Sequence, residues 1–353
     1  MLMLSPGPVP VPDFVTAAMQ KPMMHHRSAG FAKLYDQIRA GLRYLFQTEA
    51  ATGTVIGSGT YGVEMAMYSL FRPSERVVIL NMGKFSGRWV EYGEVLGLDV
   101  YEIKQPWGKA FGTAELMHEM QAAGEVAGII LTHCETSTGV VIDVEEMAFA
   151  LRRAYPNLLI MVDGITSIGA VPFYFDAWGI DAAIIASQKA LMSPAGLAAY
   201  ALSERAQSSL QATQPGDFRN LFYYVQTAAQ NAYPYTAPVQ LLYAAEAALA
   251  AIVRQGLPSI WNQVHQCRVA FRKGVVPLGA KIYPESPSES LTAITWEGVD
   301  LPAMQKGLAK AGYWLAGGQA ELKGKIVRIT HFGGVTVEMM EAVVAEMKAL
   351  LEQ

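Results

Sequence analysis

The sequence predicts an α/β protein, with a large domain on a mostly parallel seven-stranded sheet flanked by helices and a smaller C-terminal α/β domain. Three observations predict it. From residue 53 onward, apolar runs of strand length alternate with stretches of helical periodicity, the pattern of a parallel sheet covered on both faces. The runs give way to small, polar or charged residues, and such sheets bind ligands beyond the carboxyl ends of their strands. After Gly279 the pattern changes to short strands around two helices.

Residues 1–12 carry four prolines and form an expected N-terminal arm, extended and, on composition alone, on the surface. The large domain is expected over 13–255. Asp13 is placed to cap a short helix. Ser28 is placed to cap a longer one over 31–46, where Phe31, Leu34, Tyr35, Ile38, Leu42, Leu45 and Phe46 recur at helical spacing. Strands are expected over 54–56, 77–80, 100–103, 127–132, 158–162, 182–186 and 197–202, with helices over 61–71, 86–96, 114–123 and 144–155. Residues 215–235 read as loop, and two long helices follow over 238–255 and 258–275. The smaller domain, 256–353, adds strands over 280–283, 291–296 and 326–330 and helices over 301–311 and 336–351.

Of 353 residues, 52% are hydrophobic and 16% charged, which suits a large core and a substantial subunit interface. A net charge of −4 gives no reason to expect nucleic acid or an anionic membrane as a partner. Cys134 and Cys267 lie far apart without metal-ligand spacing, as in a reduced cytoplasmic protein. The N-terminal residues do not read as a signal peptide, and no apolar run reaches membrane-spanning length.

Within 158–199 two apolar runs end on chemistry. The first ends on Asp163. The second ends on Ser187, Gln188 and Lys189, and Lys189 is the only charged residue between Asp181 and Glu204. A desolvated lysine tends to lose its proton, and the neutral amine can form a Schiff base. A lysine of that kind, with an acid facing a pyridinium nitrogen, is what pyridoxal phosphate requires of a protein. The plainer reading is a snorkelling lysine and an ordinary Asp-Gly turn.

Gly57-Ser58-Gly59-Thr60-Tyr61-Gly62 follows a strand and opens a helix. It fits a dinucleotide fingerprint, but the next strand ends on Asn81 where a ribose-binding acid belongs. A helix N-terminus of small residues also suits a single phosphate ester, or is simply a tight turn. His133-Cys134-Glu135-Thr136-Ser137-Thr138-Gly139 places three hydroxyls after another strand. Its histidine reads as a hydrogen-bonded structural residue and its cysteine as a small buried one. Arg328 alternates away from Val327 and Ile329, so it is either a carboxylate clamp or an exposed strand arginine.

In order, the segments GSGT, HCETSTG, VDGITSIGA, ASQKALMSPAG, YPYTAPV and GKIVRIT resemble the class V, fold-type I, pyridoxal-phosphate-dependent aminotransferases. The resemblance is to the alanine–glyoxylate and serine–glyoxylate (serine–pyruvate) branch. It runs over nearly the whole chain, beginning with an arm, Leu4-Ser5-Pro6-Gly7-Pro8, that in that family reaches the active site. It implies that Lys189 binds the cofactor covalently and moves the substrate proton, while Asp163 holds the pyridine nitrogen protonated. Ser58, Gly59, Thr60 and Gln188 would bind the phosphate, Thr136 the ring side, and Phe85 would stack where the branch commonly has tryptophan. Tyr233 and Thr236 would reach the phosphate of a neighbouring subunit in a homodimer, and Arg328 would hold the substrate carboxylate. Two half-reactions on one site imply ping-pong kinetics, with serine or alanine as donor and glyoxylate or pyruvate as acceptor.

Aspartate or an aminophosphonate remains an alternative substrate, with Arg27, Lys33 or Arg254 as candidates for a second anion contact. Cysteine desulfuration would want histidine at position 188 and a catalytic cysteine beyond Cys267, and the sequence has neither. An NAD-dependent dehydrogenase on Gly57 to Gly62 and a non-catalytic homologue are the remaining rivals.

Overall fold

In the computed structural model, which describes residues 1–210 and 217–352, seven strands form one sheet. Their order is Ala51–Ile56, Leu197–Leu202, Ala182–Ala186, Leu159–Asp163, Gly128–Thr132, Arg76–Asn81, Asp99–Lys104. Every neighbouring pair is parallel except the two made by Leu197–Leu202. The four strands from Leu197–Leu202 to Gly128–Thr132 are buried at every position. That explains why they read as continuous apolar runs rather than alternating ones. Ala51–Ile56 lies at the sheet's edge beside an antiparallel strand. The glycine-rich turn after it is therefore not at the centre of a dinucleotide-binding sheet.

A second, four-stranded antiparallel sheet has the order Lys281–Ile282, Leu291–Thr295, Val327–Thr330, Ala316–Gly317. Its apolar face joins Leu301–Lys310 and Val337–Leu351 in a separate core. The helix Leu257–Val275 spans both cores: Leu257 packs with the large one, Cys267, Phe271 and Val275 with the small one. No helix among the described residues is long and apolar enough to cross a membrane.

Three local readings are corrected. The arm is not a surface appendage. Leu2–Met3 pairs with Tyr313–Trp314, Leu4 is fully buried in the small core, and the Thr330 N–H donates to the Leu4 carbonyl at 2.9 Å. The prolines lack donors, but Leu2, Leu4 and Val9 between them supply the N–H groups that dock the arm. Within the expected 215–235 loop lies a helix, Leu221–Ala228, capped by Asn220 and burying Leu221, Tyr224 and Ala228 at helical spacing. Residues 215 and 216 of that loop lie outside the described residues. Asp13 begins the first helix rather than capping it, whereas Ser28 caps the next by accepting from the Phe31 N–H at 3.2 Å.

Docking of the arm predicts that Leu4→Ala lowers stability by about 2–5 kcal/mol, the range for emptying a buried leucine site. Pro10→Ala, at an exposed position, should leave the urea midpoint unchanged. Equal midpoints for the two variants would mean that the arm does not hold the small core.

Candidate active site

The carboxyl ends of the sheet meet in a cavity of about 240 Å3, lined by Ser58, Gly59, Thr60, Phe85, Thr136, Asp163, Gln188 and Lys189, among others. These are eight of the eleven residues singled out from the sequence. Each comes from a different local cause. Asp163 is the last residue of Leu159–Asp163, paired with Thr132 on one side and Ile184 on the other. Its Oδ1 accepts from the Ile165 N–H at 3.0 Å, fixing the carboxylate in the turn that follows. Lys189 lies three residues beyond Ala182–Ala186, where its N–H donates back to the Ala186 carbonyl.

Ser58 caps the helix Gly59–Leu70, its Oγ accepting from the Tyr61 N–H at 3.4 Å. That helix start leaves backbone N–H groups facing the cavity end, a natural seat for an anion. Gly59 is required there by close packing, since a Cβ would come within 2.8 Å of both Ile165 Cδ1 and Ala186 Cβ. Thr60 Oγ1 accepts from Arg88 Nη1 at 2.8 Å. Gln188 Oε1 is enclosed and meets no donor among the described residues, an amide left for a ligand to satisfy. Thr136 Oγ1 shares a 2.8 Å hydrogen bond with Thr166 Oγ1.

The charges are held away from their ordinary behaviour. Burial, opposed by the Ile165 and Trp89 N–H groups, pushes the Asp163 carboxyl up to about 6. Burial, with Arg328 nearby, pulls the Lys189 amine down to about 8, although Asp163 works the other way. Lys189 Nζ donates to the Pro6 carbonyl at 2.6 Å, so the docked arm reaches the amine itself. Gly7 follows with φ +124°, and a Cβ there would come within 2.4 Å of Lys189 Nζ. Only a glycine suits both that backbone and that contact.

Arg328 is buried, not an exposed strand arginine. It donates to the Gly317 carbonyl through Nε and Nη2 and to the Thr136 carbonyl through Nη1, at 2.7–3.1 Å. Tyr233 and Thr236 do not line this cavity. Tyr233 is buried among Tyr35, Tyr224 and Tyr235, its hydroxyl donating to the Thr54 carbonyl at 3.1 Å, and Thr236 is exposed. Arg27, Lys33 and Arg254 are exposed and lie outside the cavity lining. His133 is packed on Phe173 and Trp178, but its Nδ1 has no hydrogen-bond partner among the described residues, and burial lowers its pKa to about 4.

Sequence reasoning missed Trp89, Ile165 and Thr166 in this lining, whereas Gly7 belongs to the arm that the resemblance brings to the active site. Trp89 had a signal: it stands four residues after Phe85 on the helix Lys84–Val95, hence on the same face. Cys134 also lines the cavity; burial raises its thiol pKa, as for the small buried residue expected.

A buried acid, an amine of lowered pKa, an unsatisfied amide and a helix N-terminus fit pyridoxal phosphate. Gln188, Lys189 and Asp163 would suit three different parts of that molecule's chemistry: phosphate, aldehyde and ring nitrogen. The comparisons agree. Residues 11–332 match the aminotransferase class V family. The chain is 34% identical to a Synechococcus protein named as a soluble hydrogenase small subunit, over 98% of this chain and 93% of that one. It is 32% identical to L-aspartate–glyoxylate aminotransferase of Paracoccus denitrificans, over 95% and 87%. Its fold matches alanine–glyoxylate aminotransferase of Nostoc with a TM-score of 0.93 at 30% identity, covering 99% of this chain and 95% of that one. The chain belongs to the class V aminotransferases, enzymes that work with pyridoxal phosphate.

Proposed function

We propose that the protein moves an amino group from a small amino acid, serine or alanine, to a 2-oxo acid, glyoxylate or pyruvate, in two half-reactions on one site. The observation that carries this reading is the presence of Lys189 and Asp163 in one cavity, each with its pKa moved toward neutrality. Bound pyridoxal phosphate supplies an electron sink for the bond broken at the substrate Cα. With that group bound, Lys189 would be the base that takes the substrate Cα proton and returns one. Asp163 keeps a negative charge beside the ring nitrogen. The helix start at Gly59, with Ser58, Thr60 and Gln188, would hold the phosphate, and Thr136 and Phe85 would hold the ring.

Arg328 binds the substrate carboxylate. A guanidinium has five N–H groups. Three of them are spent on Gly317 and Thr136, leaving one on each terminal nitrogen among the described residues. Such a pair suits a carboxylate. Both aminotransferases named above have glyoxylate in their names, which supports glyoxylate as acceptor. The Paracoccus name also favours aspartate as a second donor reading. For that reading, Arg27, Lys33 and Arg254 do not line this chain's own cavity, so the basic group for the side-chain carboxylate would be another residue or one from a second copy. The protein is a homodimer in this reading. Exposed Thr236 contacts the phosphate end of a second copy's site, and Tyr233 shapes that contact from beneath. The cytoplasm is its compartment, and residues 13–255 and 256–353 are its two domains behind the arm 1–12.

A half-reaction screen tests the donor. Serine or alanine should discharge the holoenzyme's absorbance fastest, aspartate more slowly, and phosphonates not at all. A preference for aspartate would select the second reading. Arg328→Ala should raise KM for amino and oxo acids together by tenfold or more, the order expected for a lost charge-assisted contact, with cofactor content preserved. Unchanged KM values would remove Arg328 from substrate binding.

The pH dependence follows from the amine. Lys189 in the folded chain is protonated below about 8 and neutral above it. Covalent loading of the apoenzyme should therefore speed up from pH 6 toward 8 and then level off. A rate that keeps rising to pH 10 would mean an ordinary lysine is reacting. Chains carrying Lys189→Ala, mixed with chains carrying Thr236→Trp, should regain part of the activity each lacks; no recovery would contradict a site shared between subunits.

A further inference from the structure

Trp89 is fully buried in the helix Lys84–Val95 and lines the cavity. Its Nε1–H donates to Asp163 Oδ2 at 3.0 Å. The other carboxylate oxygen is held by the Ile165 N–H, also at 3.0 Å. Both oxygens are thus oriented by the protein before any ligand arrives. An ionised carboxylate has about four acceptor sites, so room remains for one more donor. An indole N–H can donate but cannot accept, so it favours the ionised acid over the protonated one.

The same helix is locked in place from outside. Its first turn donates to Glu135, through the Phe85 N–H at 3.1 Å and the Ser86 N–H at 2.8 Å. Phe85, Arg88 and Trp89 then share one face and meet the cavity wall, Thr60 and Asp163 respectively.

We propose that Trp89 is a positioning residue whose indole N–H keeps Asp163 ionised and aimed, and so keeps the ring nitrogen of the bound cofactor protonated. The inference rests on the cofactor reading above. It assigns to Trp89 a role distinct from stacking, which the family resemblance gives to Phe85. Burial works against the charge on Asp163 and Glu135 repels it, so the donors at Ile165 and Trp89 work alongside Lys189 to retain it.

The test uses holoenzyme loaded with 15N-pyridine-labelled cofactor. Trp89→Phe removes the donor. 3-Benzothienylalanine at position 89 removes it while keeping the indole shape, so a folding defect in the first variant does not decide the result. In both, the nitrogen resonance should shift toward the unprotonated value at pH 7.5. kcat should fall by about tenfold, the order for one hydrogen bond to a charged group, while KM for the donor changes less than about twofold. In an Asp163→Asn background the same changes at Trp89 should cost less than about twofold, because their target is gone. An unmoved resonance in the benzothienyl enzyme, or equal costs in both backgrounds, overturns the proposal. If the resonance shifts but no amino acid discharges the cofactor in the wild type, the transamination reading fails while the role of Trp89 stands.

Discussion

A buried carboxylate is the constraint around which this molecule is built. Asp163 is 5% exposed, at the end of a strand buried throughout. A lone ionised carboxylate in such surroundings is costly and tends to take up a proton. Here two N–H donors and a lysine amine oppose that tendency, and the acid settles near 6 while the amine settles near 8. Groups whose pKa values lie close to the working pH can exchange protons with little driving force either way. Such perturbed pairs in a cleft mark functional sites more often than structural ones.

The rest of the fold makes that pair possible. Parallel strands deliver Thr136, Asp163 and Lys189 to one end of the sheet, and the edge strand delivers the helix start at Ser58. Glu135, wholly buried, accepts from Phe85 N, Ser86 N, Ser86 Oγ, Ser137 N and Ser137 Oγ at 2.6–3.1 Å. It ties the helix carrying Phe85 and Trp89 to the loop carrying Thr136, and its charge favours the helix N-terminus. The small core reaches the same place twice. Arg328 bonds to the Thr136 carbonyl, and the arm anchored by Leu4 puts the Pro6 carbonyl on Lys189. A shift of the small core against the large one would therefore be felt at both the substrate clamp and the amine.

The sheet was legible because its central strands are buried on both faces. Runs such as 182–186 and 197–202 match the structure to the residue. Lys189 and Asp163 were legible for the same reason, as isolated charges at the ends of apolar runs. What escaped depends on contacts between distant segments. Proline-rich composition hid the docking of the arm, which only the resemblance brought to the site and which rests on the N–H groups of Leu2, Leu4 and Val9. Trp89 read as one more apolar residue on a helix, and only the fold brings its N–H to a carboxylate 74 positions away. The resemblance alone gave Tyr233 a role, and no sequence signal placed its ring in the core or its hydroxyl on the Thr54 carbonyl. Arg328 could be placed on a strand face from alternation, but its burial followed from the Thr136 loop lying against that face.

Reduction of the holoenzyme with borohydride, followed by peptide mapping by mass spectrometry, tests the central claim most directly. The account predicts one pyridoxyl group per chain, on the ε-amine of Lys189, and none in Lys189→Ala. A label on any other lysine, or no label on a chain that retains cofactor, would contradict it.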